Sequence, residues 1–505
     1  MKHLFKLRWL LLATLVFAVG CSKDDDSTGG GDDDGGEEVT LENEINDFIW
    51  KSMNYWYYYQ ENVADLDDAK KDNTTAYYNY LNGYSNPESL FNDIVYTAED
   101  DFSWYIEDVD AQANQFRGIS ESYGLNIGYL VYKQQGSTDV VATVSYVVPD
   151  SPASEAGIKR GDLIYKVDGV ELTESNYTVI NNIFTEPSVT LGLGSYQNGT
   201  FVKEASDKSI TAVLLSENPV HFHSIIEEDG KKIGYLVYNS FVSTYHEELN
   251  DVFTEFKAEG INELVLDLRY NGGGSVLTSS FLASMIQGNR ANGTTFSKLT
   301  FNDKRNAENG SIYPFFDEAY LYDKTTGEYT NQDIPISRLT NLTRLYVLGS
   351  NYTASASEMI INGLRPFMDV ILVGRTTTGK NEGSITVYDS GVPYTNSNNR
   401  NPNHTVGLQP IVFQIFNSLD ENDYDDGFEP NIEVNEAAYA ATILPFGDPN
   451  EVMLRAALDD IAGTSAKGNL LRANQLQLEE AGKIKGKKFS TEMYILPNEK
   501  TFTQK

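Results

Sequence analysis

Residues 346–366 read YVLGSNYTASASEMIINGLRP. An apolar run ends at Gly349, a polar stretch follows, and an apolar, helix-like run begins near Met359, so the window predicts a buried strand feeding a helix. Junctions of this kind build α/β domains, in which loops at strand ends carry the chemistry. The junction holds three hydroxyls at alternate positions, Thr353, Ser355 and Ser357. Ser355-Ala356-Ser357-Glu358 also spells a capping box, in which Ser355 accepts a backbone amide and Glu358 reaches back. Taken alone, the window supports either helix capping or a nucleophile exposed at a helix N-terminus.

The surrounding chain repeats the scheme. KKIGYLVYNSF (231–241) is a predicted strand and HEELNDVFTEFKAEG (246–260) a helix. NELVLDLRYNGGG (262–274) is a buried strand ending in glycines, SVLTSSFLASMIQG (275–288) a second helix, and DVILVGRTTTGK (369–380) a strand running into a polar loop. Residues 217–462 are therefore expected to form an α/β domain. Within it the Ala356 amide would point at an oxyanion developing beside Ser355. Gly272, Gly273 and Gly274 allow close backbone approach, and Gly273 is the candidate second amide.

Lys380 follows a strand and is the candidate general base. The five histidines, His3, His221, His223, His246 and His404, suggest no triad. A lysine serves as base when burial lowers its pKa from about 10.4 toward about 7–8, at a cost of about 3–4 kcal/mol. That demands a dry pocket with no carboxylate nearby, so Glu382 is expected to point away.

The 505 residues are 40% hydrophobic and 12% aromatic, which is globular, and their number implies several domains. A formal charge of −35 excludes a nucleic-acid partner and a basic lipid-binding surface. Lys2, Lys6 and Arg8 precede WLLLATLVFAVG, an apolar run too short to span a bilayer, so residues 1–20 read as a signal peptide. Ala18-Val19-Gly20-Cys21 resembles a bacterial lipobox and makes Cys21 the candidate lipidation site; a single cysteine excludes an internal disulfide. Residues 21–40, rich in Asp and Gly, read as an acidic tether. The expectation is a protein anchored by lipid in the bacterial cell envelope, on the periplasmic or the surface face of the outer membrane.

Residues 41–117 carry helical patterning, with Ile45, Phe48, Ile49, Met53 and Trp56 on one face. The run Tyr55-Trp56-Tyr57-Tyr58-Tyr59 is compatible with core packing or with sugar binding, and core packing is the expectation. Over 118–216 the texture changes to strands and glycines. There SPASEAGIKRGDLIYKVDG (151–169) looks like the signature of a PDZ domain, which adds a peptide to a sheet edge and holds its carboxylate on backbone amides. Tyr123, Gly124, Leu125 and Asn126 match that carboxylate loop, where glycine permits the positive φ of an amide nest.

In order, the PDZ signature, DLRYNGGG, SASASE and GRTTTGK resemble the carboxy-terminal processing proteases, also called tail-specific proteases, over roughly residues 118–460. The resemblance implies Ser355 as nucleophile in preference to Thr353 and Ser357, with Lys380, 25 residues on, as base. It implies a multidomain α/β protein: an N-terminal helical segment, a PDZ domain and a catalytic core with a crotonase/ClpP-like layout. It further implies protein or peptide C-termini as substrates and neither metal nor cofactor. Two positions depart from the family. Asn271-Gly272-Gly273-Gly274 lacks a proline, so a looser loop is expected, and Ser384 stands where a glutamine orients the lysine. DGFEPNIEV (426–434) resembles the family's closing strand; it reads as a turn and not a calcium loop, because Tyr424 falls where a ligand belongs. Residues 463–505 read as a C-terminal tail. The competing reading is a non-catalytic peptide-binding lipoprotein on the same scaffold, and a third is a glycan-binding lipoprotein using Tyr55–Tyr59. Oligomeric state has no signature in the sequence.

Overall fold

The computed structural model describes residues 39–464, 476, 478–484, 491–496, 499 and 500. The signal peptide, Cys21 and all but the last two tether residues lie outside the described residues. From Leu41 the chain packs as one unit.

The helix Glu44–Trp56 is capped by Asn43, whose side chain accepts the Ile45 amide. It buries Phe48, Ile49, Trp50, Met53 and Trp56, while Ile45 is half-buried. The aromatic run that follows is a seam and not a sugar platform. Trp56 Nε1 donates to the Pro393 carbonyl at 2.6 Å, Tyr57 Oη to Asp100 at 2.7 Å and Tyr59 Oη to Glu382 at 2.6 Å. Buried polar tips seek such partners, and Pro393 and Glu382 belong to the α/β part of the chain. Strand Trp104–Ile106 extends the seam by pairing antiparallel with Gly407–Gln409.

The residues 118–216 fold as the strand-and-glycine texture predicts. Leu125–Lys133, Val141–Val147, Leu163–Val167 and Ser188–Gln197 are successive neighbours in one sheet. Ser151 caps the short helix Pro152–Glu155, and Gly157 and Gly161 take the positive φ values of 77° and 88° that the turn requires.

The α/β core is a six-stranded sheet in the order Val220–Glu228, Lys231–Tyr238, Glu263–Asp267, Arg344–Gly349, Asp369–Gly374, Ile432–Glu433. All neighbours after the opening hairpin are parallel. Side chains alternate with the pleat. Leu264, Leu266, Leu345 and Val347 pack into the layer that holds the helices Val276–Ile286 and Ala356–Leu364. Val265, Tyr346 and Leu348 pack against Met453, Leu454 and Leu458 of Val452–Ile461 on the other face. All eleven residues of Val276–Ile286 are buried, Thr278, Ser279, Ser280 and Ser284 among them.

The last segment is not a bare tail. Glu479–Lys483 adds antiparallel to Leu125–Lys133, with Lys483 opposite Leu130. Met493–Ile495 enters a second six-stranded sheet between Gly274–Ser275 and Glu382–Ile385, parallel to both. EEAGK carries no apolar alternation, and the second strand has only three residues, so neither meets the sequence criteria for a strand. Tertiary pairing decides both.

Candidate active site

Three neighbouring parallel strands end at the same edge of the core sheet, and the loops leaving their carboxyl ends carry Gly273, Ser355 and Lys380. That edge is where ligands bind in open α/β sheets.

The three hydroxyls of the opening window have different fates. Thr353 Oγ1 donates to the Leu268 carbonyl at 2.8 Å, and Ser357 Oγ donates to the Asn271 carbonyl at 3.0 Å. Both are engaged in tying the junction to the glycine loop. Ser355 Oγ has no hydrogen-bond partner although the residue is fully buried. Its backbone sits at φ 63° and ψ −118°. A non-glycine residue held there costs about 1–3 kcal/mol, strain that clusters at functional sites. Ser355 and Glu358 stand as the capping-box pair. The bond formed is on the Glu358 arm, its Oε2 accepting the Ser355 amide at 2.8 Å.

Glu358 does more than cap. Besides the Ser355 amide, its carboxylate accepts Thr377 Oγ1 at 2.6 Å, the Gly379 amide at 2.7 Å and the Lys380 amide at 2.8 Å. Burial pushes its carboxyl above the ordinary range, and these four donors pull against that. One side chain thus fixes the backbone of Ser355 relative to that of Lys380. The sequence shows Glu358 only as a capping arm; the donors from 377–380 belong to another strand-loop.

The glycine loop is held despite the missing proline. Asn271 Nδ2 donates to the Tyr238 carbonyl at 2.8 Å, and Asn271 Oδ1 accepts the Gly273 amide at 2.9 Å. Gly273 has φ 115°, and a Cβ there would lie 2.6 Å from Ser355 Cβ. Only glycine fits between Ser355 and its neighbours. The expectation that Gly273 supplies an oxyanion amide is corrected: that amide is spent on Asn271, whose side chain hooks back two residues. The Ala356 amide opens the helix, where no helical carbonyl can reach it.

Upstream of the glycines, Arg269 is wholly buried and bonded to Asp267, Glu436 and Glu451. Arg160, from the PDZ signature, joins the same cluster through Glu436 at 2.5 Å and Tyr270 Oη at 2.8 Å.

Lys380 is also fully buried, with its Nζ 4.4 Å from the Phe102 ring centroid. The pocket is not free of carboxylate. Glu492 Oε2 lies 3.6 Å from Lys380 Nζ, from a segment the sequence reading treats as tail. Glu382 does turn away, accepting Tyr59 Oη. Ser384 is corrected as the lysine's orienting partner: its hydroxyl contacts Glu492 Oε2 at 3.3 Å and the Met493 carbonyl at 3.0 Å, and it accepts Gln409 Nε2 at 2.9 Å. Any influence of Ser384 on Lys380 runs through Glu492.

Tyr123, Gly124, Leu125 and Asn126 line a cavity of about 600 Å³ that Gly272, Gly273, Gly274 and Glu492 line as well. Ser355 and Lys380 lie behind that wall. The Gly124 amide donates to Ser122 Oγ at 3.0 Å, at φ 69°. Of the histidines, His246 is buried between the Tyr320 carbonyl and Thr278 Oγ1, each 2.7 Å away, and burial pulls it down to about 4. It is a neutral core residue.

Three family models match the chain: peptidase family S41 over residues 232–411, the peptidase S41 N-terminal domain over 44–104 and the PDZ domain over 143–181. Over residues 232–411 the chain is similar to peptidase family S41. The S41 match contains Gly273, Ser355, Lys380 and Ser384. A solved S41 protease structure from Bacteroides fragilis is similar with a TM-score of 0.64 and 29% identity, over 82% of this chain and 97% of that one. Among curated relatives, a carboxyl-terminal-processing protease of Picosynechococcus is 25% identical over 247 residues, 48% of this chain and 51% of its own. Carboxyl-terminal-processing peptidase 1 of Arabidopsis thaliana is 27% identical over 278 residues, 53% of this chain and 50% of its own. The matches span about half the length of these S41 relatives. The mixed α/β architecture, with helical N-terminal, PDZ and catalytic parts, is that of the family.

Proposed function

We propose that this protein is a serine endopeptidase that cleaves protein or peptide substrates recognised near their C-termini. Lys380, as the neutral amine, takes the proton of Ser355. Ser355 Oγ attacks the scissile carbonyl, and the tetrahedral oxyanion is met by the Ala356 amide at the helix start. Collapse expels the amine of the leaving segment, protonated by Lys380, and leaves an acyl-enzyme. Lys380 then deprotonates a water for deacylation. The observation that carries this reading is the sorting of the hydroxyls: only Ser355 Oγ of the three is unbonded, at a strained backbone position against Gly273. The cavity shared by Tyr123–Asn126 and the glycine loop supports capture of a tail by the PDZ part close to the scissile site. The leader supports a lipid anchor at Cys21 and an envelope location.

The second reading is a peptide-binding lipoprotein without turnover. It is favoured by the burial of Ser355 and Lys380 behind the cavity wall. Incubating the chain from residue 41 with an unfolded reporter bearing an apolar C-terminal tail separates the two. Cleavage by the wild type, lost in Ser355→Ala and Lys380→Ala, is the expected result. Tail binding with no cleavage by any form would establish the second reading.

A further inference from the structure

A lysine base needs a neighbour that holds its amine toward the serine, and Ser384 does not touch Lys380. The side chain that does approach it comes from far along the chain. Glu492 is 3% exposed, its Oε2 is 3.6 Å from Lys380 Nζ, and its backbone carbonyl packs against Gly273, 2.7 Å from where a Cβ there would lie. Glu492 therefore touches both halves of the reacting centre, the lysine through its side chain and the glycine loop through its main chain.

The strand that carries it is not a removable plug. Met493 is wholly buried in the main core, Tyr494 stacks on Phe116 with centroids 3.9 Å apart, and Met493–Ile495 pairs on both sides. A chain of polar contacts then surrounds the carboxylate: Gln112 Nε2 and Thr386 Oγ1 donate to Gln409 Oε1, Gln409 Nε2 donates to Ser384 Oγ, and the Ser384 hydroxyl has the Met493 carbonyl at 3.0 Å and Glu492 Oε2 at 3.3 Å as acceptors. Four side chains on three other segments set the position of one glutamate. Such connected buried networks orient a single conformation.

We propose that Glu492 is the positioning residue of the base, a carboxylate from the C-terminal strand that stands in for the absent glutamine and holds Lys380 at the site. The proposal rests on the serine-peptidase reading above. Unlike a glutamine, a carboxylate also stabilises the ammonium form of its partner. Other groups act on the pair from the elements packed around it. Glu382 opens the strand two residues after the lysine, with Asp100 and Asp101 beyond it, and Tyr494 lies on the strand that begins just after the glutamate. From Trp104 the indole faces the carboxylate; burial raises the Glu492 carboxyl, and Lys380, Trp104 and Ser384 oppose that. Of these, Lys380 is the only cation, so replacing Glu492 with a neutral residue removes its nearest counter-charge.

The sign follows. Replacing Glu492 by a neutral residue removes the ion pair at 3.6 Å, and the acid limb of the reaction moves down. The probe is a fluorophosphonate, which needs no known substrate: Ser355 Oγ forms a bond to phosphorus, fluoride leaves, and Lys380 takes the proton. Labelling rates of the chain from residue 41 are measured against pH for the wild type, Glu492→Gln, Glu492→Ala and Ser384→Ala, with Ser355→Ala as control. Glu492→Gln is expected to keep labelling, with its limb shifted toward acid by about one pH unit or more. Glu492→Ala is expected to share that shift and lose rate at its plateau. Ser384→Ala, which weakens the hold on Glu492 and leaves Lys380 untouched, is expected to shift the limb less in the same direction. Its milder change keeps the test decisive where Glu492 variants fail to fold. An unmoved limb in a folded Glu492→Gln or in Ser384→Ala overturns the proposal while the peptidase reading stands. Labelling that persists in Ser355→Ala, or no labelling of any form, overturns the peptidase reading itself.

Discussion

At the scale of single residues, the site is organised by carboxylates that the sequence leaves inconspicuous. Glu358 collects four donors in a dry pocket. In Glu358→Gln an amide NH₂ must face backbone N–H groups. We expect a loss of about 2–4 kcal/mol in denaturant unfolding and loss of Ser355 labelling with it. Glu382 tests the opposite sign. Burial raises its carboxyl to about 7 from an ordinary 4.5. The folded chain then binds this proton between those values and the unfolded chain does not, so its stability falls as pH rises across that window. At pH 8 the buried charge costs about 3 kcal/mol, at 1.36 per unit. Glu382→Gln should therefore stabilise the protein at pH 8 and be close to neutral at pH 4, read from melting at the two values. What was legible at this scale was chemistry borne on one contiguous motif. Ser355, Ala356 and Lys380 sit in recognisable stretches, whereas Gly273's amide was misread because the hook from Asn271 depends on a side-chain rotamer. Glu492 was invisible for a different reason: its partners lie in other strands.

Individual elements divide along the same line. The long strands and amphipathic helices of the core, and the PDZ turn with its glycines, follow from local pattern. The strand Glu479–Lys483 does not, because nothing in EEAGK favours a strand and its pairing edge supplies all the order. That edge, Leu125–Lys133, begins at the expected carboxylate loop, and the added strand runs antiparallel along it toward that loop. It covers the outer part of the strand to which a peptide would add. Gly482 is its weak point, since a Cβ there would meet the Tyr177 ring at 2.5 Å. Gly482→Val should lift the strand from the edge. The expected outcome is faster hydrogen exchange at Leu130–Lys133 and tighter binding of a free C-terminal peptide by isothermal titration. Unchanged peptide affinity with exchange increased would mean that peptide and strand use separate stretches of the edge.

For the molecule as a whole, the expected sequence of helical, PDZ and catalytic parts is present, and the seams between them are polar and buried. Arg160 is the clearest case. Its guanidinium leaves the PDZ turn to reach Glu436, Tyr270 and the carbonyls of Ser145 and Leu444. Against the upward push of burial, Arg269 and Arg160 hold the Glu436 carboxyl well below its usual range. Arg160→Met leaves Glu436 and Glu451 sharing one arginine, which should cost about 3 kcal/mol or more. Calorimetry is expected to show the PDZ part melting apart from the core in that variant and together with it in the wild type.

The strand Met493–Ile495 has one more consequence, and it concerns time. Ser384 and Glu492 are separated by 108 positions, so a nascent chain presents its serine, lysine and glycine loop long before the strand that joins them. At translation rates of about 5–20 residues per second, that interval lasts roughly 5–20 s. Throughout it the gap between Gly274–Ser275 and Glu382–Ile385 stands empty and the lysine lacks its carboxylate. The sheet that brings Glu492 beside Lys380 therefore closes only after that interval, later than the junction that holds Ser355.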